Sequence, residues 1–523
     1  MKKDFRAKMK TLAAVLAVVA GVAVHRASAQ EAPGAAPSTK KTINAGETWT
    51  LTEDFVLTGD DVFEAAGTPQ QPCTLVGNGH ALRTQGEWTG RLKLTHCVLK
   101  GLGAAPALLE EGRLGPDVLA LQVSASGDAS VVVEHCTFDA TSGVAIVNNG
   151  NSTTTFRNNT VLENSLVPSD KAAHLSRGFL YASGKSPARK LFQGNRVYKA
   201  GCRFDAPNWL VGGGADAESN IVIGLRANLF TSGEGSVVRG NYVHVLLPVN
   251  EQRPYWSQVA TFGGSALAEH NVVRSGHWVI RGMFGEFRHN VVIEVHGHNL
   301  VQIGKGRIHH NIFAHPCPVP DRWPGGRPIG GVSAINQVYP TDGFEVYNNT
   351  FDGRGVGVGI ELMKDTFMPS LRSNVFYRFS AARVVGSGWN EKTVTPLPER
   401  LGYADYNCFY SPDAAVKDNY AVAVKGKTER TDAGFALNDL PKGGAVDEQV
   451  DPKFKGPVPD AFPFNDEDIK TGKVTVSQML KFYRDAYAPA AGSPLIDAGD
   501  PADGAGTDIG AVDAGLPARA AKP

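Results

Sequence analysis

One six-residue phrase recurs twelve times along the chain: an apolar residue, two polar residues, Asn or Cys, any residue, then another apolar residue. It reads LTHCVL at Leu94, VEHCTF at Val133, FRNNTV at Phe156, FQGNRV at Phe192, AESNIV at Ala217 and VRGNYV at Val238. AEHNVV at Ala268, FRHNVV at Phe287, IHHNIF at Ile308, VYNNTF at Val346, LRSNVF at Leu371 and ADYNCF at Ala404 complete the series. Such a repeat constrains the fold ahead of any local signal, because each unit buries its apolar face only against its neighbours.

The fourth positions are Cys97, Cys136, Asn159, Asn195, Asn220, Asn241, Asn271, Asn290, Asn311, Asn349, Asn374 and Asn407, spaced 19 to 39 residues apart. The shortest spacings, near twenty, are too short for a helix pair and too irregular for a propeller blade. They suit one turn of a β-solenoid with short strands meeting at tight bends. Asn suits the bend, because it tolerates left-handed backbone angles and bonds to nearby peptide groups. In stacked coils, equivalent Asn side chains can also bond to one another, as in cross-β ladders. The apolar residues three before and two after the Asn are then expected in the core. The 59 Gly and 31 Pro fit many short strands and turns. The expectation is an all-β, single-stranded solenoid of about 12 to 13 coils, rising ~4.8 Å per coil.

The N-terminus reads as a secretory signal over residues 1–29. Lys2, Lys3, Arg6, Lys8 and Lys10 precede an apolar run over residues 12–24, and Ala27-Ser28-Ala29 is an A-x-A cleavage site. Cleavage there removes six of 52 basic and one of 52 acidic residues, leaving a net charge of about −5. That field does not favour nucleic acid. The apolar run is short for a membrane span and no later stretch qualifies, so the expectation is an exported protein, secreted, periplasmic or at the cell surface, and monomeric. Of six cysteines, Cys97 and Cys136 sit at ladder positions, and Cys73 fits the same position one coil earlier. A disulfide between stacked coils and an apolar thiol stack are both open readings.

Residues 30–41 read as a polar leader, 42–412 as the solenoid with its N-terminal cap, and 413–523 as a C-terminal extension with a helix over residues 475–487. The ladder, with DPKF at Asp451, SPLIDAGDP at Ser493 and DIGAVD at Asp508, resembles secreted bacterial right-handed parallel β-helix proteins of the pectate-lyase-like superfamily. The resemblance implies that fold over residues 45–515, and a polysaccharide as substrate class. It transfers no catalytic residues. The calcium-site and Lys/Arg pattern of alginate and chondroitin lyases has no residue-by-residue counterpart here, and no DPHD segment of mannuronan epimerases is present. Ca2+ is left open as a cofactor, with no ligands assigned.

Insertions at residues 164–176, 200–208, 246–255 and 314–330 follow the corner strand. They are expected to wall a groove along the strands beginning at Arg177, Trp256, His277, Asn299, Val332 and Val358. Counting back from Asn290 and Asn311 aligns His277 with His298, Arg281 with Gln302, and Phe284 with Lys305. Strand alternation puts His277 and Arg281 on one face. A base and a nearby cation suit β-elimination from a uronate, with His277 or His298 as base and Arg281 or Lys305 steadying the enolate. Hydrolysis requires two carboxylates across the sugar. Glu361, Asp205 and Asp342 form no evident pair, so a glycoside hydrolase is the second reading and a glycan-binding surface protein the third. Arg253, Tyr255, Trp256, Arg322, Trp323 and Arg327, together with Trp209, offer aromatic and bidentate contacts for acidic sugars. His96, His135, His270, His289 and His310 each precede a ladder residue. No carboxylate or thiol accompanies them as in a metal site, so they read as an outward-facing stack.

Overall fold

A computed structural model describes residues 39–107, 118–167, 178–246, 262–263, 267–275, 280–281, 285–294, 301–302, 306–314, 333–337, 344–354, 358–363, 367–379, 384–388, 401–412, 420–424, 450–504 and 506–513. Its strands pair in parallel along a right-handed parallel β-helix with three strands to a coil. The strands before the corner form one fourteen-stranded sheet from Lys40–Asn44 to Ala404–Asp405. The strands after the corner stack from Cys73–Val76 to Cys408–Tyr410. The third set includes Leu121–Ala125, Val144–Asn148, Leu180–Gly184, Ile280–Arg281, Val301–Gln302, Val358–Met363 and Tyr420–Val424. Arg196–Phe204 and Ile221–Thr231 run from the second set into the third, with register shifts between Tyr198 and Cys202 marking the bend. Among the described residues no helix is long and apolar enough to cross a membrane.

The ladder Asn residues are buried, and their amides bond from coil to coil without a break from Asn159 to Asn407. The left-handed backbone angle expected of the Asn belongs instead to the residue before it. His96, His135, Asn158, His270, His289, His310, Asn348, Ser373 and Tyr406 have φ between 50° and 57°. The Asn is thereby freed to turn inward, where its amide satisfies backbone groups that no strand reaches. As expected, the residues three before and two after are core: Phe287 and Val292, or Val346 and Phe351, are each at most 1% exposed. Phe313, Phe351, Phe376 and Phe409 stack at successive rungs, their ring centres 4.9–5.0 Å apart.

At the N-terminal end the ladder changes chemistry. Cys73 pairs in register with Cys97, their Sγ atoms 2.8 Å apart, and the backbone N–H of Cys136 donates to Asn159 Oδ1. The five described cysteines are buried and free, and Cys73 and Cys97 stack at the head of the ladder. Burial and the neighbouring thiols push the Cys73 and Cys97 thiols far above their usual range.

The C-terminal extension lies along the flank of the solenoid. Helix α1 (Asp466–Lys470) is capped by Asn465. Helix α2 (Val476–Ala486) starts at a capping box between Thr475 and Gln478, as the expected helix over 475–487 implies. Val476, Met479, Leu480 and Tyr483 of α2 pack on Tyr242, Val272, Val291 and Ile312 of the post-corner sheet. Buried Asp352 fastens the segment by accepting from Arg378 Nη2 and Tyr487 Oη, both at 2.6 Å. Asp503 takes a bidentate contact from Arg372. DPKF, SPLIDAGDP and DIGAVD close on one another: Ser493 Oγ donates to Pro452 O, and the Asp497 N–H to Asp508 Oδ1. These motifs are fasteners of the extension.

Candidate functional site

The extension covers the post-corner face, and the third strand set carries side chains that point outward. On Leu180–Gly184 and Arg196–Phe204 the core takes Leu180, Ala182, Cys202 and Phe204, so Tyr181 and Arg203 alternate outward. Register aligns Gln122, Ala145, Tyr181, Arg203 and Phe230 on five successive rungs. The Arg203 guanidinium lies 4.9 Å from the Phe230 ring centre and 5.9 Å from that of Tyr181. Its Nε donates to Asp205 Oδ2 at 2.7 Å, and Ser232 Oγ donates to Asp205 Oδ1 at 2.5 Å. Arg203 is thus oriented and still 51% exposed. Ring faces suit the apolar faces of sugars, while the terminal guanidinium nitrogens offer donors to hydroxyl or carboxylate oxygens.

Further along the same strand set, Gly263, Arg281 and Gln302 occupy successive rungs, so the alignment of Arg281 with Gln302 from the sequence holds. Asn336, Glu361 and Val385 are likewise in register. For Arg281, Gln302 and Glu361 the described structure is that of the strand backbone. His277, His298, Lys305, Arg253, Tyr255, Trp256, Arg322, Trp323 and Arg327 lie outside the described residues.

Two sequence expectations are corrected on this face. Residues 200–208 are not a looped insertion, because strand Arg196–Phe204 occupies most of them. Trp209 is not a sugar-facing ring. It is 1% exposed and packs 4.8 Å from Phe204 in the core. Tyr181, Arg203 and Phe230 were not singled out from sequence. Register shifts put Arg203 eight residues after Asn195 and Phe230 ten after Asn220, so counting from the ladder does not align them. The alternation C-R-F at 202–204 was the available signal.

The corner His stack is a third correction. His270, His289 and His310 do stack, with ring centres 5.0–5.1 Å apart, yet they do not face open solvent. Arg484 of α2 bears on them, and Asp513 in turn faces Arg484. Burial holds His310 down to about 4 and His289 lower still. Among the described residues no three His, Cys, Asp or Glu side chains converge to hold a metal ion.

Beside the stack runs a charged row on the pre-corner sheet. Glu269 sits between Arg239 and Arg288, and Glu286 accepts from Arg288, Arg307 and His309 Nε2. His309 stacks on Tyr347 at 4.6 Å, and Arg372 covers Tyr347 from the other side at 4.4 Å. The partners on Glu286 outweigh burial and lower its pKa, and burial lowers that of His309. Every charge in the row is answered by a neighbour, so it reads as a brace across coils. The row and the stack make stability depend on acid. Unfolded imidazoles charge near 6.5, whereas the folded ones stay neutral, so the unfolded chain binds more protons below that pH. Stability is therefore full above pH 6.5 and falls as the pH drops, levelling for His310 near its folded value of about 4. The lowered carboxyls of Glu269 and Glu286 add to the loss below their ordinary 4.5. The expected loss is of the order of a few kcal/mol in all, visible as a falling thermal midpoint. His310→Gln should flatten that fall.

No family model matches the chain, and no curated protein matches it. Among solved structures it is similar to the PL6-family alginate lyase AlyGC, at 11% identity and a TM-score of 0.32, and to a mutant of that enzyme at 12% and 0.30. Each of these alignments covers 81% of this chain and 58% of the lyase. A third similar structure is a PL6-family polysaccharide lyase from Pseudopedobacter saltans, at 12% identity and a TM-score of 0.25, covering 72% of this chain and 85% of that one.

Proposed function

We propose that this chain is an exported carbohydrate-active enzyme that binds an acidic, uronate-containing polysaccharide along the third strand set and cleaves it by β-elimination. The observation that carries the reading is the row of exposed Arg203 between half-buried Tyr181 and Phe230. It gives a rigid sheet a stacking platform for sugar rings. In this reading His277 or His298 removes the proton α to the uronate carboxylate. Arg281 and Lys305 neutralise the carboxylate as the enolate forms. The electron pair then expels the glycosidic oxygen at the β carbon, which leaves protonated, and a carbon–carbon double bond remains on the new non-reducing end. In this reading Arg253, Tyr255, Trp256, Arg322, Trp323, Arg327, Gln302 and Glu361 serve substrate binding.

The platform supplies binding rather than chemistry, so its loss should act on KM. Arg203→Ala is expected to raise KM for a uronate polymer about tenfold, roughly 1.4 kcal/mol, with kcat little changed. An unchanged KM would take the row out of the substrate path. Reducing ends released without unsaturated product would instead favour a glycoside hydrolase. Binding without any cleavage would favour a non-catalytic glycan-binding protein.

A further inference from the structure

A cleft of about 420 Å³ opens between the solenoid corner and the C-terminal extension, away from the third strand set. Its floor is built by three successive rungs, Thr160, Arg196 and Ile221. His135 stands at the corner side, and Ile469 and Val476 of the extension close the other. The volume lies within the range of small-molecule sites.

Arg196 makes the cleft chemically specific. Its guanidinium has no ion-pair or hydrogen-bond partner among the described residues, and its Nη2 lies 3.7 Å from where a Cβ on Gly472 would stand. The guanidinium thus reaches across the cleft to the turn after α1. A second row of ligand contacts is already set. His135 is stacked on His96 at 4.6 Å, which fixes its ring, and its Nε2 lies 3.4 Å from Asn158 Nδ2. The one carboxylate in the lining, Asp216, is spent on Ser477, accepting from its backbone N–H at 3.0 Å and its hydroxyl at 2.5 Å.

We propose that this cleft binds one carboxylate-bearing sugar unit. A lone guanidinium opposite a fixed carboxylate suits a single negative charge and disfavours a dianion such as phosphate. Of the other cations beside the cleft on the extension, Lys470 is held by Glu163 at 2.8 Å and Lys473 by Asp468 at 3.3 Å. Ile221, Ile469 and Val476 offer an apolar wall to a ring face, and Thr160 and Asn158 offer polar edges to its hydroxyls. Because one wall is the solenoid and the other the extension, a bound unit would join the two. The site is separate from the strand face of the preceding section, and its ligand chemistry follows from Arg196 alone.

The test is calorimetric titration of the full chain with D-glucuronate and, in parallel, with neutral D-glucose. Saturable uronate binding is expected, with glucose at least ~10-fold weaker. Arg196→Gln, which removes the cation, and Thr160→Tyr, which fills the floor while leaving Arg196 in place, should each weaken uronate binding at least ~10-fold. Uronate binding that survives either variant overturns the proposal. So does equal binding of glucose, or no uronate binding at all. Two variants acting by different routes keep the result readable if one of them fails to fold.

Discussion

Asn271→Ala is expected to destabilise the protein by about 3–5 kcal/mol, out of proportion to the few atoms removed. Asn271 is fully buried, and its side chain makes four bonds of 2.9–3.0 Å. Its Nδ2 donates to Val238 O and Asn290 Oδ1, and its Oδ1 accepts the backbone N–H and the Nδ2 of Asn241. Alanine takes the side-chain partner from the Asn241 N–H and the Val238 carbonyl on the preceding coil, and removes one of the contacts of Asn241 Nδ2 and of Asn290 Oδ1. Water has no route to them, so their desolvation cost falls on the folded state. The contrast is Asn158→Ala. Asn158 is exposed and holds the left-handed corner at φ 53°, so its loss should cost only about 1 kcal/mol of backbone strain. Chemical denaturation midpoints of the two variants separate the roles. Equal, small shifts would mean that the amide ladder does not hold the coils together.

His277→Ala and Arg281→Ala are each expected to lower kcat by about a hundredfold or more with the thermal midpoint unchanged. Removing a general base costs about 10²–10⁴ in rate, and removing a group that stabilises developing negative charge costs about 10²–10³. Arg281 pairs in register with Gln302 on the neighbouring coil. Arg281→Lys should restore part of the rate, since a point charge survives and bidentate geometry does not. Wild-type rates in both alanine variants would remove these residues from the chemistry.

The ladder made the fold legible because its phrase reports two physical facts at once. Apolar residues three before and two after the Asn mark the core, and Phe287 and Val292 are indeed buried. The Asn itself reports a polar group that must be satisfied inside, and the coil-to-coil amide bonds satisfy it. What was not legible concerns contacts between distant parts of the chain. His270, His289 and His310 read as outward because nothing local shows that α2, some 170–220 residues later, brings Arg484 over them. Trp209 sits next to Pro207 and Asn208, a loop-like setting, and yet pairs as a core strand residue with Lys190. Arg203 escaped notice because the bulged strand Arg196–Phe204 breaks the constant offset from the ladder. The Arg281–Gln302 alignment succeeded where the spacing between ladder residues is 21 and the strands carry no shift.

The central claim, elimination on a uronate polymer, is tested most directly by ultraviolet absorbance during incubation with a panel of polyuronates. The expected result is a rise at the band of the unsaturated uronate, matched mole for mole by new reducing ends. New reducing ends with no such absorbance, or neither signal on any polyuronate, would contradict it.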